Sequence, residues 1–178
     1  MRPPEQFSTQ RLLGRRPRAS DAPAVFAAYA SDPVATRFLS WKAYSQLAPL
    51  EDFLRERAND WEHENRRYGY MLCLRGTDLP IGSIGVDFPG DKALFGYVLG
   101  RAHWGRGLMA EALRHLVDWS LAQPGIFRAW AFCDVENPAS ARVMEKAGMT
   151  REGVLRRWHV CPTIGPEPRD CIVCAKVK

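Results

Sequence analysis

Apolar positions along this chain recur with two periods, and the change of period marks its elements. Residues 95–99 form an unbroken apolar run that reads as a buried strand. After a basic, glycine-rich turn at 101–107, apolar residues recur at Leu108/Met109, Ala112/Leu113, Leu116/Val117 and Leu121, which is helical spacing. Upstream, 11–16 reads as a strand stopped by Pro17, and Ser20 as the N-cap of a helix to Ala30 with Asp21 in its first turn. A loop-rich passage holding Phe38, Trp41 and Tyr44 follows. Leu50, Phe53, Leu54, Ala58 and Trp61 then share one face of a helix over 50–65.

Residues 68–74, 81–88 and 95–99 read as three strands of an antiparallel meander, joined by turns at 76–80 and 89–92. Gln123-Pro124-Gly125 ends the long helix, and 127–133 is a strand expected to pair in parallel with 95–99 through the helical crossover. Asn137-Pro138 starts a further helix, Gly148 ends it, and 150–160 and 169–177 close the chain as strands. The order β-α-α-β-β-β-α-β-α-β-β predicts an α+β domain spanning 1–178, with residues 1–8 a loose extension. Its mixed, mostly antiparallel sheet would have six to seven strands and about four helices.

At 178 residues, 46% apolar and 25% charged, the chain suits one globular domain with a real core. It has no apolar run near the ~20 residues of a membrane span. The opening MRPPEQFSTQ lacks a secretory apolar segment, so a cytoplasmic protein without membrane partners is expected. Five cysteines, an odd number, argue against a disulfide framework. Cys171 and Cys174 lie three apart in a strand-like run, where they face opposite ways, so no metal site is expected. The net charge of +5 admits a polyanionic cofactor, but the basic residues are dispersed, which reads as a solvated surface and not as a nucleic-acid site.

The turn before the long helix carries the chemistry. A glycine turn opening a helix presents backbone N–H groups at the positive end of the helix dipole, and Arg101 and Arg106 add charge there. This is an anion site suited to a phosphate or pyrophosphate. Gly105-Arg106-Gly107-Leu108-Met109-Ala110 fits the dinucleotide pattern G-x-G-x-x-A, with Asp134 placed to bind a ribose. Against an NAD(P) site, His103 and Trp104 lengthen the turn, and no series of βα units follows.

Tyr97-Val98-Leu99 followed by His103-Trp104-Gly105-Arg106-Gly107-Leu108-Met109-Ala110-Glu111-Ala112-Leu113 resembles the acetyl-CoA motif of the GCN5-related N-acetyltransferases (GNAT). The segments 137–149, 152–156 and 9–21 resemble further signatures of the ribosomal-protein-alanine/serine (RimJ/RimL-type) branch. The resemblance implies an N-acetyltransferase that moves the acetyl group of acetyl-CoA directly to a primary amine, a protein N-terminal α-amine being the branch's hallmark acceptor. It implies a sheet splayed at the cofactor, with the backbone of Val98, Leu99 and Gly100 pairing with pantetheine and the Leu99 N–H stabilising the oxyanion. The N–H groups of Trp104, Gly105, Arg106, Gly107, Leu108, Met109 and Ala110 would hold the pyrophosphate. Trp104 stands where the family carries a polar residue, and Met109 at a small-residue position would crowd the phosphates.

The branch also implies that Asn137 contacts the pantetheine arm and that Ser140 relays a proton to the leaving thiolate; read without it, the two residues form a helix cap. Lys146 and Arg142 are either phosphate contacts or a solvated helix face. His159 stands six residues beyond Gly153, where one group carries a glutamate base; Glu152, Asp134 and water are the alternatives. The first two helices would wall the acceptor side, with Phe38, Trp41 and Tyr44 lining a channel or simply core. A non-catalytic acyl-CoA-binding module is the alternative function, and a homodimer through the terminal strands is in keeping with the branch.

Overall fold

The computed structural model describes residues 1–63 and 67–178; the end of the second helix expected from the sequence lies outside them. Eight strands form one sheet in the order β1-β2-β3-β4-β5-β6-β8-β7. They are β1 (Gln6–Ser8), β2 (Leu12–Arg15), β3 (Arg67–Leu74), β4 (Pro80–Asp87), β5 (Lys92–Leu99), β6 (Arg128–Asp134), β7 (Thr150–Val160) and β8 (Pro168–Val177). Among the described residues only the β5–β6 pair is parallel. The described residues thus form a mostly antiparallel sheet and not a doubly wound one, and the dinucleotide reading of the glycine turn loses its scaffold.

The sheet has one strand more than expected because residues 1–8 are not wholly loose. β1 pairs with β2, and Phe7 is buried between the Tyr70 and His115 rings, at centroid distances of 5.0 and 4.8 Å. Gly14 permits this, since a Cβ there would lie 2.2 Å from the Phe7 ring.

Helices α3 (Leu108–Ala122) and α4 (Pro138–Lys146) cover one face, packing Leu113, Leu116 and Met144 against Phe95 and Ala131. On the other face α1 (Ala22–Val25) and α2 (Ala48–Asn59) pack Val25, Tyr29, Leu50 and Leu54 onto Met71 and Val98. Ser20 is not an N-cap. A 3₁₀ turn, Ala19–Asp21, precedes α1, and the Asp21 carboxylate accepts the Arg18 N–H (2.8 Å) as a cap would. Past Val25 the helix widens to π geometry over Phe26–Ala30.

A buried ion pair fixes this first helical segment to the sheet. Arg15 on β2 donates two hydrogen bonds to Asp21, at 2.9 and 2.7 Å, and also pairs with Asp78. Both Arg15 and Asp21 are buried, so either charge left alone would be strongly destabilising.

Candidate active site

β5 pairs with β6 only from Lys92–Arg128 to Phe95–Ala131, and beyond that point the two strands part. Strand alternation decides which backbone groups face the gap. The Gly100 N–H donates to the Ile81 carbonyl of β4 (2.8 Å), so Val98 and Gly100 face β4 while Tyr97 and Leu99 face the open seam. This corrects the expected trio: Tyr97 and Leu99 offer backbone groups to the gap, and Val98 and Gly100 do not. Val98 instead sends its side chain to the α1–α2 face. Gly100 is a glycine because a Cβ would lie 2.7 Å from the Ala28 carbonyl of the π segment.

The seam leads into a short 3₁₀ turn, Arg101–His103, and then the glycine turn. Gly105 and Gly107 adopt φ of +75° and +73°, a region costly to residues with a Cβ. Gly107 caps α3 with no side-chain hydrogen bond, leaving the first-turn N–H groups of Leu108, Met109 and Ala110 without intrahelical acceptors. Met109 does not crowd this turn: its side chain is buried in the core cluster. Trp104 differs from expectation. Its backbone N–H is spent on the Arg101 carbonyl (3.1 Å), while its half-exposed indole donates Nε1–H to the Leu99 carbonyl across the seam's mouth (2.7 Å).

Charge around the turn is also redistributed. Arg101 is paired with Asp32 and turned toward the first helical segment, so it does not join Arg106 at the turn as the sequence suggested. Arg11 takes that place. It donates to the Arg106 carbonyl (2.9 Å) and clamps Glu111 through its backbone N–H and Nε (2.9 and 2.7 Å). Burial alone would raise the Glu111 carboxyl, but Thr9 and Arg11 hold it below its ordinary value. Arg11, Gly107, Arg114 and Lys146 line a groove of about 360 Å³ beside the helix start.

Beneath the seam, on the α3–α4 face, the Tyr97 hydroxyl lies 2.8 Å from Ser140 Oγ and donates to the Ser140 carbonyl at 3.2 Å. Asn137 Oδ1 accepts the Ser140 N–H (3.2 Å), the cap expected of it. Burial pushes the Tyr97 phenol well above its usual range, so it remains a donor. The sequence reading missed Tyr97 as a side chain; only the alternation of β5 and the approach of α4 reveal it.

On the opposite face, β7 carries extra residues between Leu155 and His159, with Arg157 at φ +48°. Consecutive residues of a regular strand point to opposite faces, but here Trp158 and His159 both contact the Phe132 ring, at 6.1 and 5.2 Å. Phe132 follows Ala131, where β5 leaves β6, so His159 sits beside the open seam. Burial lowers the His159 pKa, with Asp134 opposing, which favours neutral imidazole.

The other base candidates are occupied. Burial would raise Asp134, but Arg169 and the Glu136 N–H (2.8 Å) hold its carboxyl below the usual range. Glu152 is gripped by Arg128 (2.9 Å at Nη1), which lowers its carboxyl, at the end of β6 away from the seam. Lys146 reaches the groove, but Arg142 does not line it. Trp41 and Tyr44 line a pocket between the first two helices and the sheet, whereas Phe38 lies under the Arg37 guanidinium at 5.1 Å.

Comparison with known proteins accounts for this arrangement. Residues 11–150 match the acetyltransferase (GNAT) domain family. The uncharacterized N-acetyltransferase p20 of Bacillus licheniformis is 30% identical over 158 residues, covering 87% of this chain and 88% of its own. Among solved structures, a GNAT-family acetyltransferase from Bacillus anthracis superposes with a TM-score of 0.82 at 24% identity, over 97% of this chain and 98% of that one. RimL, the ribosomal L7/L12 α-N-protein acetyltransferase in complex with coenzyme A, superposes with a TM-score of 0.82 at 18% identity, over the same shares. The chain thus belongs to the GNAT acetyltransferases, enzymes that draw their acetyl group from acetyl-CoA.

Proposed function

We propose that this protein N-acetylates a primary amine by direct transfer from acetyl-CoA, both substrates being bound at once. The observation that carries the reading is the parting of β5 from β6 after Phe95–Ala131, with Leu99 facing the gap just before the glycine turn. The residues fit the cosubstrate. Tyr97 offers backbone groups to an amide-bearing arm, the Leu99 N–H is left for the thioester carbonyl, and the turn from Gly105 to Ala110 offers N–H groups to a pyrophosphate.

Acetyl-CoA supplies the thioester. The amine nitrogen bonds to its carbonyl carbon, the carbon–sulfur bond breaks, the nitrogen loses a proton, and the thiolate gains one. The Leu99 N–H stabilises the carbonyl oxygen as charge builds on it. His159, neutral beside the seam, takes the amine's proton directly or through water. Ser140, hydrogen-bonded to Tyr97, returns a proton toward the sulfur, and Asn137 holds the helix start that positions Ser140. A protein N-terminal α-amine is one acceptor that the structural likeness to RimL supports.

Initial-rate kinetics of CoA release, varying acetyl-CoA and a primary amine, test this. Intersecting double-reciprocal lines are expected. Parallel lines, or no release with any amine, would contradict it.

A further inference from the structure

Resting on that reading, the acceptor side of the seam carries information about the amine. A cavity of about 220 Å³ opens between the first two helices and the sheet, its apolar walls including Val25, Leu39, Leu54, Met71 and Val98. Trp41 and Tyr44, with ring centroids 5.5 Å apart, form its outer side. Its lining holds no Asp, Glu, Lys, Arg or His among the described residues. The polar groups are hydroxyls such as Tyr29, which hydrogen-bonds with Ser83 and is pushed up by burial, so it stays neutral.

On the sheet side Gly96 brings no side chain to the cavity's lining. Gly69, Gly85 and Gly96 are direct neighbours across β3, β4 and β5. Facing residues of an antiparallel pair project to the same side, and the alternation of Met71, Ser83 and Val98 puts this row on the cavity's side. A Cβ added at Gly69 or Gly96 would meet nothing within 4 Å. Gly96 is exposed although it lies mid-sheet. Naked backbone therefore extends from the cavity's lining at Gly96 across to Gly85 and Gly69 on the same side of the sheet.

We infer that the acceptor is a primary amine bearing an uncharged, apolar group of about one aromatic ring, which lies against Gly96. The volume is below the roughly 300–1,000 Å³ typical of drug-sized sites, so the group is small. A second ammonium or a carboxylate in the cavity would be desolvated without a counter-charge, which selects against polyamines and acidic amines. The walls also disfavour the protonated form of the reacting amine itself.

The test compares kcat/KM for 2-phenylethylamine, methylamine, putrescine and β-alanine by CoA release, with acetyl-CoA stabilisation of the melt measured in parallel. 2-Phenylethylamine is expected to exceed putrescine and β-alanine by roughly a hundredfold. Gly96→Val should lower the 2-phenylethylamine-to-methylamine ratio at least about tenfold, with Gly96→Ala in the same direction. Ser40→Asp, an exposed lining position, should raise putrescine relative to 2-phenylethylamine. Putrescine or β-alanine turned over best by a protein that acetyl-CoA stabilises would overturn this inference and leave the transferase reading standing. An unchanged selectivity ratio in both Gly96 variants would overturn it too. Absence of acetyl-CoA stabilisation would remove the transferase reading and this inference together.

Discussion

The two faces of the sheet are built by opposite means. On the α3–α4 face, the start of the long helix offers backbone N–H groups held by two left-handed glycines, with Arg11, Arg114 and Lys146 nearby. On the α1–α2 face, the cavity is built mainly from aliphatic and aromatic side chains, with no charged residue in its lining among the described residues. The first arrangement suits a ligand whose charge never varies. The second suits a ligand that must shed charge before it reacts, since burial in apolar surroundings disfavours an ammonium. β5 serves both sides, with Leu99 facing the seam and Val98 and Gly96 the cavity.

The largest expected effect starts on the acceptor side. Asp21→Ala leaves the buried Arg15 with Asp78 as its remaining carboxylate, at a cost of about 3 kcal/mol, the low end for breaking a buried pair, or a fall in melting temperature of roughly 6–12 °C. Scanning calorimetry checks it. A fall under about 2 °C would mean that the pair does not anchor the first helical segment.

Next in size, Ser140→Ala should lower kcat by about a hundredfold, the ordinary scale of a positioned proton donor. Tyr97→Phe should lower it less, and both variants should keep acetyl-CoA stabilisation. A change confined to KM would make the hydroxyl pair a binding feature.

Gly107→Val sharpens the contrast from the cofactor side. A β-branched residue at φ +73° strains the turn by about 1–2 kcal/mol. Acetyl-CoA affinity measured by calorimetry should weaken roughly 5- to 30-fold. Trp104→Phe removes the N–H on the Leu99 carbonyl, one hydrogen bond of about 1 kcal/mol, for an effect near fivefold on kcat/KM.

The smallest effect is in pH. Burial depresses His159, so kcat/KM should rise with pH through an apparent pKa below the usual ~6.5, and His159→Gln should abolish that limb. The sign for stability follows. A histidine with a lowered folded pKa takes up its proton more readily when unfolded, so its contribution is lost as pH falls from ~6.5 through the folded value.

The same contrast explains what the sequence disclosed. The glycine turn, the crossover and the strands on either side lie in one stretch, and their periodicity and glycine spacing placed the turn and the helix start from residues alone. Single-residue assignments within it went astray where alternation decides, as at Val98 and Gly100. The acceptor side joins β2, the first two helices and the meander, segments far apart in sequence. Neither the Arg15–Asp21 pair nor the glycine row of Gly69, Gly85 and Gly96 has a local signature. The extra residues in β7 that bring Trp158 and His159 to one face are equally silent, because they depend on pairing with β8.

The central claim is that the seam and the glycine turn hold acetyl-CoA. Melting the purified protein with acetyl-CoA, NAD, NADP and ATP in parallel tests it most directly. A ligand at ~100 times its dissociation constant adds about 2.7 kcal/mol, so acetyl-CoA alone should raise the melting temperature by roughly 5–10 °C. No shift with acetyl-CoA, or a shift with NAD in its place, would contradict the account.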